Sequence, residues 1–412
     1  MNRVSTPNSC TDAIHRVSPN SCTDAMNRVS PNSCTDAINR VSLVMILLNP
    51  GPVNLSDRVR NALLRPDLCH REVEFSQLQS RIREQLLQVY GLESVGVARL
   101  RHHWAAVLLT GSGTAAMEAM ISSLVPKDGK LLVIENGVYG ERLSKIAKIH
   151  SINYITLSHP WNAEIDIKAL IKLLDENTDI THLAVVHHET TTGRLNNLLE
   201  LAPICQERRI KLLVDGVSSF GAEELNFADW GITACAATAN KCLHGVPGTS
   251  FVILRRDALP SVDTIPRTLY LDLGTYCQQQ DRGGTPFTQS VQTFYALTEA
   301  LQEMAEAGGW RARHSHYNQL ASLVRDGLAS IGIKPLLPLG SSSVVLNAYY
   351  LPDGFSYEEF HDQLKAQDYI IYSGQGNLAQ SIFRVSTMGA ITRADMERFV
   401  VVVKQIISSP RN

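Results

Sequence analysis

Two alternating patterns constrain this chain more than any other feature. Short unbroken apolar runs recur as "AAVLL" (105–109), "LLVI" (131–134), "LAVV" (183–186), "KLLV" (211–214) and "SFVIL" (250–254). Runs of this length without polar alternation are expected for strands buried on both faces. Between them lie helical patterns: "TAAMEAMISSLV" (114–125), "YGERLSKIAKIH" (139–150), "DIKALIKLLDE" (166–176) and "NNLLELAPICQERR" (196–209). Strand–helix alternation predicts an α/β fold around a doubly wound, mostly parallel sheet. Upstream, Phe75, Leu78, Ile82 and Val89 share one face of a helix expected over 71–91. Beyond about residue 290 the texture changes to longer helices, with short strands near "SSVVLNAYY" and "FRVSTMG". That part reads as a smaller α+β domain.

The expected organisation therefore has three parts. Residues 1–42 are a tandem repeat ("NRVSTPNSCTDAI", "HRVSPNSCTDAM", "NRVSPNSCTDAI") with little apolar surface to bury, expected to be a disordered extension. Residues 43–295 are expected to form the large α/β domain, with 43–70 an arm contributing to the small domain and to a dimer. Residues 296–412 form the small domain. Of 412 residues, 44% are hydrophobic and 19% charged, as in ordinary globular enzymes, and the net charge of -2 gives no reason to expect nucleic acid or an anionic membrane as partner. The run "LVMILL" is far too short to span a bilayer. The eight cysteines show no CxxC spacing, so neither a metal site nor a disulfide framework is expected, and a reducing cytoplasm is the simplest compartment.

Parallel sheets bind ligands beyond the carboxyl ends of their strands. Three loops there carry chemistry. "TGSGTAAMEA" follows the first run; backbone N–H groups at a helix start, with Ser112 and Thr114, suit a phosphate, although a tight turn with an N-cap has the same composition. "DGVSSFG" places Asp215 directly after a buried strand, where a carboxylate needs a cation or several donors. "TACAATANKCLHGVPGTSF" (233–251) sets Lys241 alone among small, mostly uncharged residues. A lysine so placed is exposed, paired, or converted into something uncharged such as an imine. Together the three fit pyridoxal phosphate: the lysine joins the aldehyde and the aspartate keeps the ring nitrogen protonated.

The segments "NPGP", "TGSGTAAMEA", "ENGVYGER", "HHETTTG", "VDGVSSFG", "TANKCLHGVPGTSFVI", "RTLYLDL" and "FRVSTMG" resemble those of the class V, fold-type I aminotransferases, over roughly residues 46–408. The resemblance is closest to members acting on aminophosphonates. It implies transfer of an amino group from 2-aminoethylphosphonate to pyruvate, giving phosphonoacetaldehyde and alanine, or the reverse. Alanine–glyoxylate or serine–pyruvate chemistry is the alternative. By the same resemblance Lys241 would form the Schiff base and shuttle the proton, and Asp215 would pair with the pyridinium N–H. Ser112, Gly113 and Thr114 would hold the phosphate, joined by Asn240 and by Thr285 from the partner subunit of a homodimer. Tyr139 would stack on the ring, Thr190 would sit near its phenolic oxygen, and Arg384 would grip the anionic end of the substrate. "CHREVEF" (69–75) resembles instead the His–Arg pair of the phosphoserine aminotransferases, which makes His70 and Arg71 candidate ligands of a phosphonate. Cysteine desulfuration, which needs a cysteine on a C-terminal loop, is disfavoured because none follows Cys277. A non-catalytic scaffold would be free to lose Lys241, Asp215 or the phosphate loop, and all three are present.

Overall fold

The computed structural model describes residues 45–92, 103–261 and 264–409. The repeat of 1–42 lies outside the described residues. From Ile46 onward the chain forms one compact unit.

Its centre is a seven-stranded sheet. In chain order the strands are β1 (Trp104–Gly111), β2 (Lys130–Glu135), β3 (Asn153–Ser158), β4 (His182–Val186), β5 (Lys211–Asp215), β6 (Ile232–Thr238) and β7 (Gly248–Arg255). Their spatial order is β1-β7-β6-β5-β4-β2-β3. β7 runs antiparallel to both its neighbours, and the other adjacent pairs are parallel. Alternate residues explain the unbroken apolar runs. Ala106 and Leu108 of β1, Leu132 and Ile134 of β2, and Leu212 and Val214 of β5 enter one core layer. Val107, Leu109, Leu131, Val133 and Leu213 enter the layer on the opposite face. Both faces are covered, so polar side chains on these strands are confined to their ends, such as Lys130, Lys211 and Asp215.

All five apolar runs become strands, and two strands had no run to announce them. β3 ("NYITLS") lies at the sheet edge and is largely solvated, so its composition stays polar. β6 ("ITACAAT") is wholly buried but built of small residues. It packs closely against helix Gly113–Leu124, where larger side chains would hold the helix off the sheet.

The predicted helices appear at Gly113–Leu124, Val138–Ile149, Ile167–Glu176 and Leu198–Glu207, and the upstream one at Val73–Gln88. Asp166 caps the third, accepting from the Ala169 N–H at 3.0 Å. Towards the C-terminus, Leu346–Tyr350, Ile382–Ser386 and Tyr372–Ser373 form a three-stranded antiparallel sheet. A third core layer joins it to helices Gly309–Ala329, Tyr357–Lys365 and Arg393–Ser408. The short strand Ile46–Leu47 pairs in parallel with Tyr369–Ile370, tying the N-terminal arm to this region. No helix among the described residues is long and apolar enough to cross a membrane.

Candidate active site

Sheet register gathers the three loops at one edge. Val186 pairs with Asp215, Asp215 with Ala236, Ser250 with Thr238, and Gly248 with Gly111. The last residues of β4 and β5 are therefore level; β6 runs on past them to Thr238 and β1 to Gly111, all at the same edge of the sheet. The loop carrying Lys241 follows β6 directly, and helix Gly113–Leu124 starts two residues after β1.

The helix start meets the Asp215 loop at van der Waals range. A Cβ on Gly113 would lie 2.8 Å from Val217 Cγ2 and 3.5 Å from Thr238 Cβ, so only glycine admits this approach. Ser112 is the N-cap residue, is exposed, and makes no capping bond with its side chain. Its hydroxyl and the first helical N–H groups remain directed at whatever sits before the helix. Asn240 lies beside this cradle, accepting from Thr238 Oγ1 at 2.8 Å.

Asp215 is 3% exposed. Among the described residues its side chain accepts one hydrogen bond, from the Val217 N–H at 2.9 Å. Burial pushes its pKa up to about 7, with Glu189 adding to the rise and Arg142 and Lys241 opposing it. Lys241 faces the NPGP segment: its Nζ donates to the Pro50 carbonyl, and a Cβ on Gly51 (φ +108°) would lie 2.8 Å from Nζ. Burial lowers the Lys241 pKa to about 8; Arg384 and Arg142 push the same way, while Cys242 and Asp215 oppose. The site thus holds an amine whose proton is held less tightly than usual, within electrostatic reach of a carboxylate short of donors.

Arg384 comes from the three-stranded sheet. It is 3% exposed, donating from Nε to Ser373 O at 2.9 Å and from Nη1 to Thr190 O at 2.8 Å. No carboxylate lies within 4.0 Å of its guanidinium among the described residues. Burial lowers its pKa, and Tyr139 and Glu189 are among the groups that favour its charge. Tyr139, half-buried at the start of helix Val138–Ile149, is thus near Arg384 as well as the cradle. Glu189 fixes that helix start, accepting from the Gly140 N–H at 3.2 Å and from Thr191 Oγ1 at 2.6 Å.

Three predicted residues stand apart. Thr285 is buried, accepts from Gln289 Nε2 at 3.0 Å and donates to Phe287 O at 3.1 Å; Gln289 in turn accepts from Thr110 Oγ1 at 2.9 Å. It is anchored to the end of β1 in its own chain. His70 and Arg71 occupy the turn before helix Val73–Gln88 and make no hydrogen bond or ion pair to Lys241, Asp215 or Arg384 among the described residues. His70 Nε2 is buried without a partner there. Conversely, the sequence reading singled out neither Glu189 nor Arg142. Arg142 had a legible signal: it follows Tyr139 by one helical turn, so the two share a face.

A lysine amine, a donor-poor buried carboxylate and an anion-ready helix start, gathered at one edge of a mostly parallel sheet, suit a phosphorylated aldehyde on a basic ring. An aldehyde joined to Nζ would remove the cost of a buried ammonium, and a ring N–H at Asp215 would supply a cation for that carboxylate. The residues present fit pyridoxal phosphate.

The class-V aminotransferase model matches residues 70–397. A curated 2-aminoethylphosphonate–pyruvate transaminase of Aeromonas hydrophila is 36% identical over 361 residues, covering 86% of this chain and 93% of its own. A protein of the same name from Phocaeicola vulgatus is 33% identical, covering 88% and 98%. Among solved structures, an alanine–glyoxylate aminotransferase of Nostoc sp. superposes with a TM-score of 0.81 at 25% identity, covering 88% of this chain and 95% of that one. The chain belongs to the class V aminotransferase family, has its fold-type I architecture, and uses pyridoxal phosphate as cofactor.

Proposed function

We propose that this protein transfers the amino group of 2-aminoethylphosphonate to pyruvate, giving phosphonoacetaldehyde and L-alanine, or runs the reverse. The observation that carries the reading is Arg384, a buried guanidinium whose only hydrogen bonds among the described residues go to two carbonyls, in a site whose lysine and aspartate sit close by. A guanidinium without a carboxylate partner is a ready receptor for a phosphonate or carboxylate. The two transaminases named above, 36% and 33% identical, support the phosphonate.

The bound cofactor supplies an electron sink for the charge left when a proton leaves the substrate carbon. The chain's residues do the rest. Lys241 Nζ, with its lowered pKa, would take up the proton that leaves the substrate carbon and hand it back; an amine of pKa about 8 has a usable fraction of free base near neutral pH. Asp215 holds the ring nitrogen protonated. Ser112, Gly113, Thr114, Asn240 and a partner's Thr285 would form the phosphate cradle, Tyr139 would cover the ring, and Thr190 would sit by its phenolic oxygen. Arg384 orients the anionic end, with His70 and Arg71 as further ligands reaching across a homodimer. The working enzyme is a cytoplasmic homodimer whose large domain spans 43–295 and whose small domain spans 296–412.

The test is an amino-donor screen. Purified enzyme with 2-aminoethylphosphonate and pyruvate should form alanine, with ping-pong kinetics. The fold likeness to the Nostoc enzyme favours one second reading, alanine or serine as donor to glyoxylate. Transfer from serine or alanine with none from 2-aminoethylphosphonate would establish that reading and reject the first.

A further inference from the structure

The proposed cradle has a charge deficit. Ser112, Gly113, Thr114, Asn240 and Thr285 are all uncharged, and Lys241 is committed to the aldehyde. A helix N-terminus contributes only about half an elementary charge, whereas a phosphate monoester near neutral pH carries about −1.5 to −2. A full cation is missing from the set.

Arg142 stands where that cation is needed. Its Nη1 donates to Thr114 Oγ1 at 3.3 Å, and its Cζ lies 4.5 Å from the centroid of the Tyr139 ring. Arg58, Arg65, Arg83, Arg194, Arg208 and Arg256 pair with carboxylates. Arg142 has no such partner within 4.0 Å among the described residues, and Thr114 is its only hydrogen-bond acceptor there. Its charge is felt inside the site, where it lowers the pKa of both Asp215 and Lys241. The element that carries it is held firmly: Glu189 accepts from the Gly140 N–H, and the Val138 N–H donates to Thr191 Oγ1 at 3.0 Å.

We infer that Arg142 is a cofactor-binding residue, supplying the full positive charge at the phosphate end and linking the aromatic cover to the cradle through Tyr139 and Thr114. The inference rests on the cradle assignment proposed above. Phosphate binding then pulls on the same side chain that braces Tyr139, so loading the cradle also orders the ring cover.

The test uses the cofactor-free protein, titrated by fluorescence with pyridoxal phosphate and with pyridoxal, which lacks the phosphate. Wild type should prefer the phosphorylated form; no preference would sink the cradle assignment itself. Arg142→Gln should weaken pyridoxal phosphate by about 10–100-fold, the scale of a lost charge-assisted hydrogen bond, while pyridoxal binding changes by less than about threefold. Arg142→Lys should recover part of the preference through its charge. Equal weakening of both ligands by Arg142→Gln, without recovery by lysine, would show that Arg142 acts only by bracing Tyr139, and would overturn the inference. A melting curve of each cofactor-free variant should match wild type; a lowered melting temperature in both variants would assign the residue to structure instead.

Discussion

Asp215 and Glu223 are both buried carboxylates, eight positions apart, and their surroundings differ in kind. Glu223 accepts from Ser343 Oγ at 2.5 Å and from the Val344 N–H at 2.9 Å, with His314 Nδ1 at 3.4 Å. Burial pushes its carboxyl upward, but the bonds from His314 and Ser343 outweigh it and hold the pKa below the ordinary value. Asp215 has one backbone donor and a pKa pushed up to about 7. Equal burial thus gives opposite protonation behaviour, because donors rather than depth decide it. Glu223 is completed by its own chain and ties the strand-end loop to the segment leading into the three-stranded sheet. Asp215 is left by its own chain with a single backbone donor among the described residues.

The contrast can be broken most sharply at the lysine facing Asp215. Lys241→Ala should lower turnover by about 10^4-fold, the upper range for removing a positioned proton carrier. The variant should also lose covalent trapping of the cofactor by borohydride; an active, cofactor-trapping variant would reject the assignment. Asp215→Asn should cost about 10^2–10^3-fold in kcat, as for a preorganised electrostatic group, yet stabilise the cofactor-free protein above neutral pH. A carboxyl raised from 3.8 to about 7 binds more protons folded than unfolded across that window. Wild-type apoprotein stability should therefore fall as pH rises from about 4 to about 7, by on the order of 3–4 kcal/mol. The asparagine variant should lack that fall, and chemical denaturation at pH 4 and pH 8 reads it. Lys241 has the reverse sign: its lowered pKa makes stability rise with pH between about 8 and about 10.5.

Smaller effects sharpen the same distinction. Arg384→Lys keeps the charge but loses the planar fork, and should raise KM for the aminophosphonate about 10–100-fold; an unchanged KM in steady-state assays would remove Arg384 from substrate binding. Glu223→Gln should retain kcat while lowering stability by about 1–3 kcal/mol through the disturbed donors, measured as a shifted denaturation midpoint. A catalytic defect there without loss of stability would erase the division between the two carboxylates.

Much of the fold was legible because burial on both faces leaves a mark in composition: every apolar run became a strand. β3 was silent because its edge position leaves it solvated, and β6 because helix packing selects small residues that advertise no strand. In the site, Lys241, Asp215 and the Ser112–Thr114 loop could be read because each breaks the local expectation for its neighbourhood. Arg142 left a weaker mark, its spacing of one helical turn from Tyr139, because an arginine in a helix normally faces solvent with a carboxylate nearby. Its missing partner appears only when the helix is docked. The proximity of Gly51 to Lys241 was equally hidden, because it joins segments almost two hundred positions apart.

The sequence alone determined the sheet, the helices around it and the residue types at the strand ends, because these depend on local periodicity and on which positions exclude water. The tertiary structure alone decided which of those strand ends meet at one edge, which buried charges find donors and which are left short of them. Those are outcomes of register and packing between distant segments, and a buried carboxylate becomes functional only through what surrounds it.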